Sequence, residues 1–198
     1  MEITLIVDTI TTLSSRMNPM TSRIPFLLLC ASMLAPVQAL AKPAILPDGC
    51  GDDAIKFDAK LEKDNPGLPA IAEGKALIVF VETLPDARLY AGTTTRFGLD
   101  GAWVGATKSD AYFTIEVTPG EHNLCASMQS APSGMKSNFT KTATFTAEAG
   151  KVYYFESVVN EIGGPNGGIA AFDFAQLSEK DGKYRVKAWK FATSKPKK

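Results

Sequence analysis

The stretch TTRFGLDGAWVGATKSDAYFTIEVTPGEHNLC, Thr94 to Cys125, decides the fold. It holds two turns that can be named from their residues, set among runs that alternate apolar and polar side chains. Asp100-Gly101 can supply the two positive φ values of a type I′ turn, whose twist suits a two-residue β-hairpin. That loop length fixes a register: Leu99 is expected opposite Ala102, Gly98 opposite Trp103 and Phe97 opposite Val104. Alternation then places Phe97, Leu99 and Val104 on one face, and Arg96 and Trp103 on the other. Thr118-Pro119-Gly120-Glu121 reads as a type II turn, with Pro presetting φ and Gly supplying the positive φ that follows. It predicts a second hairpin. Phe113, Ile115 and Val117 alternate before the turn, and His122, Leu124, Ala126 and Met128 after it. One apolar face per strand is the pattern of antiparallel sheet lying on a core.

The same reading extends outward. Ile55 to Leu61 suits an edge strand, while the pairs Ile55/Ala59 and Phe57/Leu61 equally fit a short helix after Asp52 or Asp53. Lys75 to Val81 (KALIVFV) is apolar on both faces and is expected to be buried from both sides. Leu84 to Gly92 reads as a connection. Gln129 to Asn138 reads as a polar loop, and Asn138-Phe139-Thr140 has N-glycosylation spacing. Phe139 to Ala147 alternates, with Thr140, Thr142, Thr144 and Thr146 on one side. After a tight turn at Glu148 to Lys151 come a strand from Val152 to Val159, a flexible loop from Gly163 to Gly168 and a strand from Ile169 to Leu177. Asp181-Gly182 suggests a turn and Tyr184 to Trp189 a weaker strand. Lys195 to Lys198 reads as a solvated end. About seven to nine mostly antiparallel strands make an all-β sandwich.

Arg23, the apolar run Ile24 to Val37 and the Ala39-Leu40-Ala41 site have the order of a secretory signal peptide, with the mature chain starting at Lys42. The run is short for a span of about 20 residues. An uncleaved anchor or a buried helix is the alternative, and Met17 or Met20 could serve as the start. Leu29 precedes Cys30 and the apolar run continues past it, so Cys30 is not read as a lipidation site. The organisation expected is a signal peptide over 1–41, an N-terminal arm over 42–74 and a sandwich over 75–198 on which the arm packs. Of 198 residues, 157 remain after residue 41. The 21 basic and 21 acidic residues each lose two, leaving a neutral chain. Neutrality argues against nucleic acid or an anionic membrane surface as partner.

Cys50 and Cys125 remain in the mature chain. In an oxidising compartment, periplasmic or extracellular, such a pair is expected to form a disulfide. It would close a loop of about 75 residues, worth about 4 kcal/mol in the chain-entropy model, and would staple the arm across the outer face of the sheet. Two free thiols are the alternative.

Little in the sequence points to catalysis. His122 is the only histidine. No Cys-x-x-Cys spacing accompanies it, and nothing sets up a nucleophile elbow or an orienting acid. It reads as a solvated turn histidine. Asp48, Asp52 and Asp53 lack EF-hand spacing. The glycines of 163–168 lack the Lys-Ser/Thr of a phosphate loop. No cofactor, metal or catalytic residue is assigned. The candidate ligand surface is Arg96 with Trp103 and Tyr112, which could stack on a sugar ring, a peptide or a partner strand. The alternative is that Trp103 covers Gly98 or packs beneath the arm as a second core.

GKALIVFVE, the opening stretch from Thr95 to Cys125, and TAEAGKVYYF in that order resemble the bacterial domain of unknown function 2846. The matching positions are Asp100-Gly101, Val104-Gly105, Pro119-Gly120, His122 and Gly150 to Tyr154, and the likeness covers about Gly74 to Leu177. It implies an immunoglobulin-like or transthyretin-like sandwich outside the cytoplasm and brings no catalytic residues. The chain departs from lipid-anchored members in lacking a lipidation cysteine. The functional expectation is a non-enzymatic binding or structural module, with an envelope component, a glycan or another protein as partner. The alternatives are a hydrolase or metal-dependent enzyme using His122 with carboxylates gathered by folding, and a subunit of a larger assembly paired through a sheet edge.

Overall fold

The computed structural model describes Pro47 and residues 49–84, 92–130, 139–164 and 167–198. In chain order the elements are β1 (Phe57–Leu61), β2 (Ala76–Thr83), β3 (Thr94–Leu99), β4 (Ala102–Lys108), β5 (Ala111–Val117), β6 (Gly120–Ser130), β7 (Thr140–Ala147), β8 (Val152–Gly164), β9 (Gly167–Gln176), α1 (Glu179–Ala188) and β10 (Lys190–Pro196). They form two sheets, a six-stranded one in the order β1-β10-β5-β2-β8-β9 and a four-stranded one in the order β4-β3-β6-β7. Pairing is antiparallel except for β2 with β8 and β5 with β10. The all-β, two-sheet architecture is the one expected from the alternating runs.

The first hairpin forms at the expected turn, with φ of 48° at Asp100 and 84° at Gly101. Leu99 faces Ala102 and Gly98 faces Trp103, but the register then shifts, so Phe97 faces Gly105 and not Val104. Gly105 makes room for the core: a methyl group there would lie 2.9 Å from the Phe113 ring.

The second turn is not a hairpin. β5 belongs to the six-stranded sheet, where β2 and β10 flank it, and β6 lies between β3 and β7 in the other. Pro119-Gly120, with Gly120 at φ 135°, carries the chain from one sheet to the other. The apolar rows of the two strands meet face to face, Phe113 and Val117 sharing a core with Leu124, Ala126 and Met128. Alternation reports which face is buried but not whether the neighbour lies beside the strand or across the core.

Each sheet carries apolar packing on both faces. The main core lies between them, built on Ile78, Phe80, Phe97, Phe113, Leu124, Phe145 and Phe155. A second core joins Leu77, Val79, Val81, Tyr112 and Tyr154 of the six-stranded sheet to Val186 of α1, with Leu68 and Trp189 at its margin. A third joins Cys50 and Phe57 of the arm to Trp103, Ala106 and Cys125 of the four-stranded sheet. β2 is therefore buried on both faces, as its uninterrupted apolar run requires.

The C-terminal region departs from expectation. Residues 179–188 form a helix where a turn and a strand were expected. Ser178 caps it: Oγ accepts from the Asp181 amide at 3.1 Å and donates to the Asp181 carboxylate at 2.6 Å. Glu179 and Asp181 in the first turn, and Arg185 and Lys187 in the last, suit the helix dipole. Gly182 lies inside the helix because its bare backbone rests on the Tyr154 ring. Lys190–Pro196 form β10, paired with β1, so the solvated end, exposed over 195–198, begins inside a strand. The pairing favours the edge-strand reading of Ile55 to Leu61 over the helical one, with the strand itself spanning Phe57–Leu61. Gln129, assigned to a loop, lies in β6. It acts as a substitute strand partner: its Oε1 accepts from the Phe57 amide at 2.9 Å and its Nε2 donates to the Phe57 carbonyl at 2.7 Å. β8 and β9 extend to a Gly164–Gly167 pair through the expected loop. The signal peptide and Cys30, the possible starts Met17 and Met20, Asp48, most of the Leu84 to Gly92 connection and Asn138 lie outside the described residues.

Candidate functional site

The residues expected to offer a ligand surface are packed inside the molecule. Cys50 and Cys125 form the disulfide, with Cα atoms 5.0 Å apart and a sequence separation of 75. The arm lies flush on the four-stranded sheet because glycines remove the side chains that would hold it off. A methyl group on Gly98 would sit 2.3 Å from the Gly49 carbonyl oxygen, and one on Gly51 would sit 2.6 Å from the Trp103 indole. Beneath the arm, Arg96 is 1% exposed. Its guanidinium stacks on Trp103, 4.1 Å from the ring centroid. Arg96 Nη1 donates to the carbonyls of Asp53 at 3.1 Å and Ile55 at 2.6 Å, and Nη2 donates to the Asp53 carboxylate. That bond holds the Asp53 carboxyl below its usual range against the opposing effect of burial, with the Lys56 and Arg96 charges assisting. The indole Nε1 donates to the Asp52 carbonyl at 2.7 Å. The pair locks the arm and presents no free face.

Tyr112 does not join them. It is buried on the outer face of the six-stranded sheet, against Phe191. Its hydroxyl donates to Asn65 Oδ1 at 2.5 Å. The Asn65 Nδ2 group donates to the Val186 and Trp189 carbonyls at 2.6 and 2.8 Å, so this network ties the segment after β1 to the end of α1. Burial raises the phenol's pKa.

His122 is buried, 7% exposed, where a solvated turn residue was expected. Nδ1 lies 2.6 Å from Asp100 Oδ2, and Nε2 lies 2.8 Å from the Thr118 carbonyl oxygen. Both neighbours accept only, so both contacts are hydrogen bonds when the ring carries two protons. Burial alone would lower the histidine's pKa. The Thr118 carbonyl and the Asp100 carboxylate together outweigh it and raise the pKa. The imidazolium thus clamps the Asp-Gly hairpin to the Pro-Gly crossing. When the ring carries both protons, both nitrogens are engaged within the fold.

Glu82 is a buried acid that the sequence reading passed over. It follows Ala76, Ile78 and Phe80 along the inward-facing row of β2, which is the signal that could have found it. Oε1 accepts from Thr95 Oγ1 at 2.8 Å and Oε2 from Thr107 Oγ1 at 2.7 Å. Burial pushes its pKa up to about 8, which the two threonines only partly oppose. The acid is sealed between the sheets.

An open, polar recess lies at the foot of α1. The turn between β7 and β8, the first residues of β8, the end of β9 and the first residue of α1 enclose about 310 Å³. Gly150, at φ 76°, shapes the turn, and its amide donates to the Lys75 carbonyl at 2.7 Å. Glu148, Lys151, Gln176 and Glu179 are exposed on the walls, with Val152, Tyr153 and Leu177 half-buried between them. Tyr153 is positioned by its hydroxyl, which accepts from the Glu148 amide at 3.0 Å. The Glu179 carboxylate pairs with Lys183 at 2.5 Å, which holds its pKa below the usual range, and the Lys151 charge adds to this. Tyr154 closes the inner wall.

Comparison with known proteins finds no matching family model, no matching curated protein and no matching solved structure.

Proposed function

We propose that the chain is an exported, non-enzymatic binding module of the cell envelope. The observation that carries the reading is the contrast between its sealed and its open polar groups. His122, Glu82 and Arg96 are the side chains best suited to proton transfer or charge stabilisation, and each is buried and committed to partners within the fold. Exposed polar groups, Glu148, Lys151 and Gln176 among them, line the recess beside α1. The Cys50–Cys125 bridge fits a compartment that sustains disulfides. The leader from Arg23 to Ala41 and the resemblance to the domain of unknown function 2846 support export, with the immunoglobulin-like or transthyretin-like variant of the sandwich as the fold subtype proposed. Among the described residues, no helix is long and apolar enough to cross a membrane.

The test is fractionation followed by crosslinking in the exporting cell. The protein is expected outside the cytoplasm with its disulfide formed, and an envelope component is expected to be recovered with it. Cytoplasmic protein with free thiols, or recovery of nothing after crosslinking, would count against the reading.

A further inference from the structure

We propose that Glu82 is a proton-held latch between the two sheets, joining the end of β2 to β3 and β4 while protonated and releasing that end when ionised. Glu82 is fully buried, and its carboxyl reaches across the core to the opposite sheet. Thr95 of β3 holds one oxygen and Thr107 of β4 the other. The two threonines are also fully buried and stand opposite each other in the β3–β4 pair. Their hydroxyls can bond either form of the acid but bring no charge. The remaining neighbours bring no counter-charge either. Ala111 of β5 and Ser157 of β8 flank Glu82 within its own sheet, and the Ser157 hydroxyl donates to the Val81 carbonyl. Met128 of β6 lies beside Thr95. Arg96 of β3 is paired with Asp53 of the arm, and Glu156 of β8 with Arg185 of α1. Lys108 follows Thr107 and so alternates to the other face of β4. The Asp110 carboxylate, just ahead of β5, adds a like charge that disfavours ionisation further. Among the described residues, Glu82 forms no ion pair.

A carboxylate in this place would be a buried charge with two hydroxyl donors and no partner of opposite sign, which is costly. The place of Glu82 in its strand makes local release the cheapest relief. Its pair with Ala111 is the last rung between β2 and β5, and Thr83 with Val158 is the last between β2 and β8. Leu84 follows, its amide held by Asp110 Oδ1 at 3.0 Å. Freeing the carboxyl breaks these terminal contacts and leaves Ala76 to Val81 paired, a sub-global opening. Burial raises the pKa of the closed acid from 4.5 to about 8, so opening releases a proton. The latch therefore holds fully below about 4.5. It weakens by up to about tenfold per pH unit until the closed acid itself ionises near 8. His122, whose pKa is also raised, lies at the other end of the sandwich: it bonds Thr118, beyond the Val117 that pairs with Ala76.

The experiment is native-state amide hydrogen exchange of the disulfide-bonded protein, followed by NMR from about pH 5 to 8. Rates are corrected for the intrinsic effect of pH, and urea is added below the unfolding midpoint. Protection of the 82–84 amides is expected to fall by up to about tenfold per pH unit. That exchange should depend little on urea, because a local opening exposes little surface. Ile78 and Phe80, deeper in β2, are expected to exchange only through urea-sensitive global unfolding. Glu82→Gln keeps the shape of the side chain and cannot ionise. It is expected to remove the pH dependence at 82–84. Carbon-13 NMR of the wild-type carboxyl needs no variant: Glu82 is expected to be still protonated at about pH 6. Titration of Glu82 near its ordinary 4.5, urea-sensitive exchange of the 82–84 amides, pH-independent protection there, or the same pH dependence in Glu82→Gln would each overturn the proposal.

Discussion

A methyl group on Gly182 would lie 2.1 Å from Cγ of Tyr154, so the helix and the ring can be this close only with glycine at that position. Alanine is the better helix former by about 1 kcal/mol. Here the steric term decides, because overpacking a tight contact costs about 1–3 kcal/mol and the neighbour is a buried ring. Gly182→Ala is therefore expected to lower stability by about 1–2 kcal/mol in urea unfolding. A gain would show that α1 is free to move off the sheet. The two buried ionisable residues make the second expectation at this scale. The folded pKa of His122 is raised, so its clamp stabilises fully below the unfolded value of about 6.5 and is lost as pH rises through the folded value. The carboxyl of Asp100 is lowered, with His122 and the Asn123 amide together outweighing burial. Its share is present above about 3.8 and is lost as pH falls through the folded value. Glu82 has its pKa raised from 4.5 to about 8, so the folded state holds a proton that the unfolded state releases. Between those values, stability falls as pH rises. Glu82→Gln is expected to flatten the urea midpoint between pH 5 and 8, leaving the slope due to His122. The sole histidine gives one titrating imidazole signal, and a midpoint at or below 6.5 would refute the clamp.

The arm is the element whose removal should matter most. Glycines at 49, 51 and 98 let its backbone contact the sheet, the disulfide fixes it there, and Arg96 holds the carbonyls of Asp53 and Ile55. Cys50→Ser is expected to cost about 2–4 kcal/mol. It should also expose Trp103, seen as a red-shifted and more readily quenched indole emission. Stability and emission both unchanged would mean that packing alone holds the arm. This arrangement was partly legible in the sequence. Two cysteines, one in a Pro/Gly-rich lead and one on the less apolar side of a strand, predicted the staple. The burial of Trp103 was one of two readings that residue types could not separate. The Pro-Gly crossing was misread because an apolar row looks the same whether it pairs beside its neighbour or packs across from it. The Ser178-x-x-Asp181 cap was present, but Asp181-Gly182 has the form of a turn, and only contact with Tyr154 explains a glycine inside the helix. β10 was missed because its strand character comes from pairing with β1, with Lys197 adding a 3.5 Å contact to Asp58. The recess was not legible: its residues come from four elements, and only Gly150 to Tyr154 had attracted notice.

At the scale of the whole molecule, three apolar layers enclose two sheets. The arm and α1 cover parts of opposite outer faces, while the outward threonines of β7 stay exposed. On the rim, the recess beside α1 is an open hollow lined by exposed polar groups. The central claim is that the exported molecule meets an envelope partner there. Site-specific photocrosslinking in the exporting cell tests it most directly, with the photoreactive residue placed in turn at Gln176 on the recess wall and at Thr142 on the exposed edge strand β7. The account predicts an adduct from Gln176 that is absent from Thr142. Equal adducts from both positions, or none from Gln176, would contradict it.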